Sequence, residues 1–388
     1  MTDHAPRIEN SNNLSEEQQM IVSMVKDIAK DIIEPRSAEI DTNNEYPWDI
    51  VKVLFDNGIL ALPIPEEYGG GGASELTCCL VIEEVAKVCG NSAHCLCDHW
   101  LGMETLLLGG GEEIKKKYLP EMCSRVAAFA LTEPDAGSDV SGIQTRAELK
   151  GDNYILNGQK IYCTNGGVAD MITVYAKTSS DSKSLSAFIV EKEFPGFKVG
   201  KKEEQLGMKG TPAYELVFED CVVPKENIIG AEGSAFKTAM CVFERSRPFD
   251  GVLGVGISEG AIQIAVDYAK ERKQFGKTLS QFQGLQWMLA DMAIQTEAAR
   301  QIIYKAACMI DMDDPEKGMY SSMANCFATD TAVKVTNDAM QVLGGVGYMK
   351  DYPLEQKMRD ARLLQIVEGT NQIQRIIVSR AILDRIVT

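Results

Sequence analysis

The spacing of hydrophobic positions changes twice along the chain. Between residues 14 and 130 they recur every three or four positions. Ile21, Met24, Val25, Ile28 and Ile32 fall on one helical face, Ser15 with Gln18 forms a capping box at its start, and Pro35 is expected to stop the run. A glycine-rich loop at 68–72 precedes further helices expected at about 74–88 and 92–108. Near Leu131 the pattern becomes alternation. The stretches 154–166, 185–200 and 213–224 alternate apolar and polar residues, with Gly, Asn and Pro between them. From about Ser234 the helical period returns and persists, with breaks at 311–318 and 344–347. This order predicts an α+β chain: an N-terminal helical domain at 1–130, a middle β-sheet or barrel domain at 131–240, and a C-terminal four-helix bundle at 241–388.

Composition narrows the class. The 388 residues suffice for two or three domains, and 45% hydrophobic with 24% charged residues is an ordinary globular mix. A formal net charge of −17 argues against nucleic acid, whose phosphates select basic surfaces. No stretch approaches 18 uninterrupted apolar residues, so no membrane span is expected. Residues 1–11 carry Asp3 and Glu9 and no apolar run, unlike a signal or transit peptide. With eleven cysteines and no such leader, reduced thiols in a cytoplasmic setting are expected.

Two glycine clusters fail as nucleotide fingerprints. Glu259 stands where a third glycine should follow Gly254 and Gly256, and the cluster at 344–347 also lacks it and follows no strand. The stretch HCLCDHW at 94–100 gathers two of the three histidines and two of the eleven cysteines. On a helix, Cys95 and Cys97 point roughly 200° apart and cannot share a metal. Cys95 with His99 can, but no second Cys/His pair completes a tetrahedral site, so no metal is expected. His94 and Asp98 share a face. Taken alone, Asp98 reads as a helix-surface charge paired with His94.

Four stretches then act together: AFALTEPDAGSDV at 128–140, NGQKIYCTNG at 157–166, ERKQFGKTLSQFQ at 271–283, and QVLGG through EGTNQIQR at 341–375. In order and spacing they resemble the acyl-CoA dehydrogenase family over nearly the whole chain. The resemblance implies that family's helix, β, helix layout, an FAD cofactor and removal of two hydrogens from a CoA thioester. An electron-transferring flavoprotein is the implied partner. Phe129, Leu131, Thr132, Gly137 and Ser138 are the implied flavin contacts. Tyr162, where the family usually has tryptophan, would stack on the ring beside Thr164; the alternative for Tyr162 is a strand residue in the sheet core. Arg272, Gln274, Phe275 and Gln283, with Gln341 and Gly345 of the QVLGG turn, are implied to reach FAD across a subunit interface. Thr370 and Gln372 are further implied contacts. A homo-oligomer, commonly a tetramer, follows from that arrangement. Without the resemblance, Arg272 is a solvated surface charge.

By itself, Glu368 is a cap or a surface charge at a helix junction. The resemblance makes it the base that removes the α-proton of the thioester. A carboxylate in a dry pocket is a stronger base than one in water, which this weakly acidic C–H requires. Ser246 stands where some family members place the base, and serine cannot serve. Arg247 supports the Glu368 pocket or the CoA chain, or forms a structural ion pair. The helix carrying His94 and Asp98 lines the acyl pocket in the family, with Ser138 and Val367 as further substrate contacts. Val367 replaces the usual tyrosine and widens the pocket, and Asp98 adds an acid. Both departures resemble the branch acting on alicyclic carboxyl-CoA esters, where such an aspartate can take a proton from a ring carbon. A cyclic or branched substrate such as cyclohexane- or cyclohexene-carboxyl-CoA is therefore expected. The alternatives are a short- or medium-chain straight acyl-CoA, an enoyl-CoA reductase running the same chemistry backward, and an oxidase. A non-enzymatic acyl-CoA scaffold ranks last.

Overall fold

The computed structural model describes residues 14–179 and 184–386, so the leader-like test on residues 1–11 lies outside the described residues. The first helix, α1 (Glu16–Ile28), begins at the expected capping box, in which Ser15 Oγ accepts from Gln18 N and the Gln18 side chain accepts from Ser15 N. Pro35 does not stop the chain. A π turn at Ala29–Ile33 and a 3-10 turn at Glu34–Arg36 carry it into α2 (Ser37–Asn43). Pro35 sits in the first turn of a short segment, where a missing N–H costs nothing. The π turn also shifts the helical register. Ile33 is buried where Ile32 was expected, and Ile32 and Met24 face outward.

Then follow α3 (Trp48–Asp56), α4 (Glu75–Val88), α5 (Gly90–Gly109) and α6 (Glu112–Met122). Ser74 Oγ caps α4 by accepting from Thr77 N. Helix α5 runs through the middle of the protein and is buried from Gly90 to Trp100. Gly102 lets it touch the first strand, because a Cβ there would lie 2.7 Å from Ala128 N.

The sheet contains β1 (Ala127–Ala130), β2 (Arg146–Lys150), β3 (Asn153–Thr164), β4 (Met171–Lys177), β5 (Leu185–Glu191), β6 (Phe197–Lys202), β7 (Ala213–Pro224) and β8 (Ile228–Ile229). The order is β6-β7-β3-β2-β4-β5-β8, and β1 pairs in parallel with β4. The sheet thus starts four residues before the boundary expected at 131. Ala127–Ala130 is apolar throughout, so it lacks the alternation that marks a strand with one wet face. Strands β3 and β7 are long and antiparallel, with a register shift between Lys160 and Cys163.

Helices α7 (Ala235–Glu271), α8 (Gln283–Asp311), α9 (Lys317–Leu343), α10 (Leu354–Leu363) and α11 (Asn371–Ile386) complete the chain. Helix α7 starts at Ala235, ahead of the boundary expected at 241. Among the described residues, it is the one helix long and apolar enough to cross a membrane, although charged residues interrupt its apolar run. In its most apolar window, 67% of the residues are buried inside the protein. It packs on α4, α5, α8 and α9, which accounts for its hydrophobicity as core.

Candidate functional site

The turn between α10 and α11 holds Glu368 in an unusual posture. Its φ is 55°, and Gly369 follows at 86°. A left-handed glutamate is strained and needs support from its surroundings. Gln374, fully buried on α11, supplies it: Nε2 donates to Glu368 O at 2.9 Å and to Gly369 O at 2.7 Å. Thr370 Oγ1 accepts from Ile373 N at 3.4 Å and helps to start α11. Val367, just before the glutamate, is half-buried, whereas Gln372 is exposed.

The Glu368 side chain meets α7. Ser246 Oγ donates a hydrogen bond to Glu368 Oε2. Arg247 is buried beside it; its Nη1 donates to Ser322 Oγ at 3.3 Å, and its guanidinium lies 5.8 Å from the Phe243 ring. Arg247 forms no ion pair within reach among the described residues, so the plain structural ion pair is not what is seen. Burial raises the Glu368 carboxyl, opposed by the Ser246 hydrogen bond and the Arg247 charge.

Two more carboxyls join it. Asp98 on α5 is buried, which excludes the surface-charge reading. Asp250 lies on α7 and is also buried. Burial, then the nearby charges of Asp250 and Glu368, push Asp98 well up. Burial and Glu368 push Asp250 well up. Two buried carboxyls and the half-buried Glu368, each raised by burial and close enough to feel one another's charge, do not all ionise. Only Glu368 has a hydroxyl donor and a guanidinium favouring its anion, so it is the member that ionises first.

The rest of the 94–100 stretch is fixed in place. His94 Nδ1 lies 2.7 Å from Thr211 Oγ1 and 3.1 Å from Asp98 Oδ2. Burial lowers His94 to about 4, so it is neutral at pH 7. His99 accepts from Ala127 N at Nδ1 and pairs its Nε2 with Met122 O, tying α5 to the sheet. Cys95 and Cys97 are both buried, and burial pushes both thiols up, away from the reactive thiolate.

A second group surrounds Tyr162. The register shift in β3 gives Tyr162 a φ of 54° and turns it outward, leaving 63% of it exposed. The reading of Tyr162 as a sheet-core residue is therefore wrong: the bulge re-aims it. Ile161 N donates to Thr132 O at 2.9 Å, which lays the loop after β1 alongside this bulge. Glu133 anchors that loop from below. It accepts from Lys160 Nζ at 2.7 Å and from Thr145 N at 3.1 Å, and Lys160 also donates to Leu131 O at 2.9 Å. Both members of this pair are buried. Gly137 and Ser138 are left exposed above it, and a Cβ on Gly137 would meet nothing within 4 Å. Phe129, half-buried, packs on Tyr175 and Phe243, Leu131 is buried, and Thr164 is half-buried. Cys163, beside Tyr162, is buried, and that burial pushes its thiol up, with a smaller push from Asp98.

A third group lies at the end of the helical bundle. Arg272, Gln274, Leu279, Val342, Gly344 and Gly345 line an open cleft of about 570 Å³ together with their neighbours. Side chains added at Gly344 or Gly345 would meet nothing within 4 Å. Phe275 is 93% exposed with φ 51°. Gln283, at the start of α8, and Gln341, near the end of α9, are exposed. An arginine beside bare glycine backbone suits a diphosphate, and an exposed aromatic beside a polar loop suits a flavin ring. None of the acid-cluster residues lines this cleft.

Family models for the N-terminal, middle and C-terminal domains of acyl-CoA dehydrogenases match residues 15–125, 128–221 and 233–383. The chain belongs to the acyl-CoA dehydrogenase family. It is an oxidoreductase of that family, and FAD is its cofactor. It is 46% identical over 374 residues to a probable acyl-CoA dehydrogenase, FadE25, of Mycobacterium tuberculosis, covering 95% of this chain and 96% of that one. It is 44% identical over 382 residues to a cyclohex-1-ene-1-carbonyl-CoA dehydrogenase of Syntrophus aciditrophicus, covering 97% and 92%. Among solved structures, a chain from work on the electron transferring flavoprotein of Acidaminococcus fermentans superposes with a TM-score of 0.94 at 44% identity, covering 96% and 99%. Butyryl-CoA dehydrogenase of Megasphaera elsdenii superposes at 0.93 and 39%, covering 96% and 99%.

Within this acyl-CoA dehydrogenase fold, several residues at the site carry no sequence signal of their own. Gln374 sits in an ordinary helical start. Glu133 and Lys160 are 27 residues apart and meet only in the sheet. Asp250 was detectable as an acid at the head of the apolar stretch 251–257, four residues after Ser246.

Proposed function

We propose that this acyl-CoA dehydrogenase oxidises a cyclic or branched carboxyl-CoA, such as cyclohexane- or cyclohexene-carboxyl-CoA, with Glu368 as the base. The observation that carries the base is the Ser246 hydrogen bond to a Glu368 carboxyl raised by burial. Glu368 takes the proton from the carbon next to the thioester, and its strained turn keeps the carboxylate from swinging away. FAD, when bound, supplies the hydride acceptor that no side chain can provide. Phe129, Leu131, Thr132, Gly137, Ser138, Tyr162 and Thr164 hold the flavin end. Arg272, Gln274, Phe275, Gln283, Gln341 and Gly345, with Thr370 and Gln372, hold the remainder. The cleft around Arg272 is separate from the acid cluster, which supports a site completed by a second subunit, as in a homodimer or homotetramer. Arg247 steadies the Glu368 anion at the entrance taken by the CoA chain.

The cyclic substrate rests on the pocket wall. Asp98 is buried within reach of the Glu368 charge, His94 packs against it with Nδ1 3.1 Å from Oδ2, and Val367 leaves room where tyrosine is usual. The similarity to the Syntrophus aciditrophicus enzyme supports this reading. Asp98 meets the ring as an O–H, and acts as a base there only after losing that proton. The similarity to butyryl-CoA dehydrogenase favours a straight-chain substrate as the second reading. Asp98→Asn is expected to lower kcat/KM for cyclohexanecarboxyl-CoA at least about tenfold while changing butyryl-CoA little. A wild-type preference for butyryl-CoA, unaffected by Asp98→Asn, returns the straight-chain reading. Reversal to an enoyl-CoA reductase uses the same site. An electron-transferring flavoprotein is the proposed redox partner, supported by the 0.94 superposition, and the cytoplasm the proposed compartment.

The pH profile is a further test. A base works only when deprotonated, so kcat falls as pH drops through the raised Glu368 value, above the usual carboxylate range. Ser246→Ala removes an interaction that favours the anion. The acid limb of the kcat profile is then expected to move to higher pH. A limb that stays in place in this variant means that another group titrates.

A further inference from the structure

Asp250 is a buried carboxyl that the chemistry above does not use. It lies on α7 one turn beyond Ser246, on roughly the same face, since a turn takes about 3.6 residues. The neighbouring Phe249 ring packs 5.4 Å from Trp100 of α5. That contact sets this level of α7 against the level of α5 that carries Asp98. Asp250 is 4% exposed and Asp98 9%. Among the described residues neither has a satisfactory partner. Asp98 Oδ2 makes no hydrogen bond, because its 3.1 Å approach to His94 Nδ1 is off-axis and that nitrogen is engaged by Thr211. No hydrogen bond or ion pair to Asp250 is found among the described residues, and its carboxyl oxygens, unlike Asp98 Oδ2, are not fully sealed from their surroundings. Burial pushes both carboxyls up, toward the protonated form that carries an O–H donor. Buried polar groups are almost always hydrogen-bonded, and leaving Asp98 Oδ2 unmet is costly. A hydrocarbon ring meets neither of them.

We propose that Asp98 and Asp250 form a polar subsite beside Glu368 that takes an oxygen-bearing acyl group, with a ring hydroxyl or oxo oxygen accepting from their O–H groups, and that Asp250 is a specificity-determining residue. The proposal rests on the reading of the Glu368 pocket as the acyl site.

The test compares matched thioesters on the FAD-loaded enzyme. Cyclohexanecarboxyl-CoA is run against 3-hydroxy- and 4-hydroxycyclohexanecarboxyl-CoA, and butyryl-CoA against 4-hydroxybutyryl-CoA. The expected result is a kcat/KM at least about tenfold higher for one hydroxylated member of a pair, because a site built for an oxygen rejects the analogue lacking it. Asp250→Leu is expected to reverse that preference, and Asp250→Asn, which still offers N–H donors, to retain part of it. Bound flavin reports that each variant has folded. Equal or better turnover of the plain thioesters by the wild type, with the same ratio in Asp250→Leu, overturns the proposal and means that water fills the subsite. Ring against straight chain separately tests the cyclic reading. A hydroxyl preference confined to the straight-chain pair sinks the ring and keeps the subsite.

Discussion

Replacing Glu368 by glutamine lowers kcat by about 10²–10⁴-fold, the usual worth of a positioned general base. The amide is nearly isosteric, so the left-handed turn, the Gln374 hydrogen bonds and FAD binding all survive. The thioester still binds, and KM changes much less than kcat, because what is lost acts in the transition state. Stopped-flow loss of the flavin's visible absorbance, read beside equilibrium binding of a non-reacting thioester, separates the two quantities. The same measurement on Ser246→Ala gives a far smaller loss, since serine tunes the base without replacing it. A Glu368→Gln enzyme within a few-fold of wild type would remove Glu368 from the chemistry.

The second large effect is on stability. Lys160→Met strands Glu133 in the interior under the loop at 131–142. Breaking a buried ion pair from one side costs about 3–5 kcal/mol, because the remaining charge is left uncompensated. In the native protein, burial works against the Glu133 carboxylate, but the Lys160 charge and the hydrogen bonds hold it below the usual value. Burial in turn pulls Lys160 down to about 8, so the pair is held in place at a cost. Without Lys160, burial dominates and Glu133 moves above its unfolded value. The variant therefore gains stability relative to wild type as pH falls toward the ordinary carboxylate range, where Glu133 folds protonated. Chemical denaturation at two pH values measures this. Flavin content falls as well, because the loop beneath Ser138 loses its anchor. A double change, Lys160→Met with Glu133→Gln, recovers part of the loss.

The periodic parts of this fold were legible in the sequence. The capping box at Ser15, the return of helical spacing at Ser234 and the breaks at 311–318 and 344–347 all have local causes that a single chain reveals. The misses were places where tertiary contact outweighs local pattern. Pro35 is tolerated because a π turn re-phases the helix around it. Ala127–Ala130 is a strand buried on both faces and so does not alternate. Tyr162 stands out of the sheet because β3 bulges at that point against β7.

The candidate site stands out in its motifs more than in its physics. The position of Glu368 came with a family resemblance, whereas the reason it can be ionised among three carboxyls lies in Ser246 and Arg247, 122 and 121 positions away. Asp98 carried two readings until its burial removed one. Gln374 and Glu133 hold these two turns through contacts that no spacing rule anticipates.

The most direct test of the central claim is exchange at the carbon next to the thioester. The FAD-loaded enzyme is incubated in D2O, without electron acceptor, with a CoA thioester that binds but is not oxidised, and deuterium uptake is read by mass spectrometry. Wild type should incorporate deuterium at that carbon, and Glu368→Gln should bind the same thioester with no incorporation above the enzyme-free rate. Uptake by the Glu368→Gln protein at the wild-type rate would contradict the account.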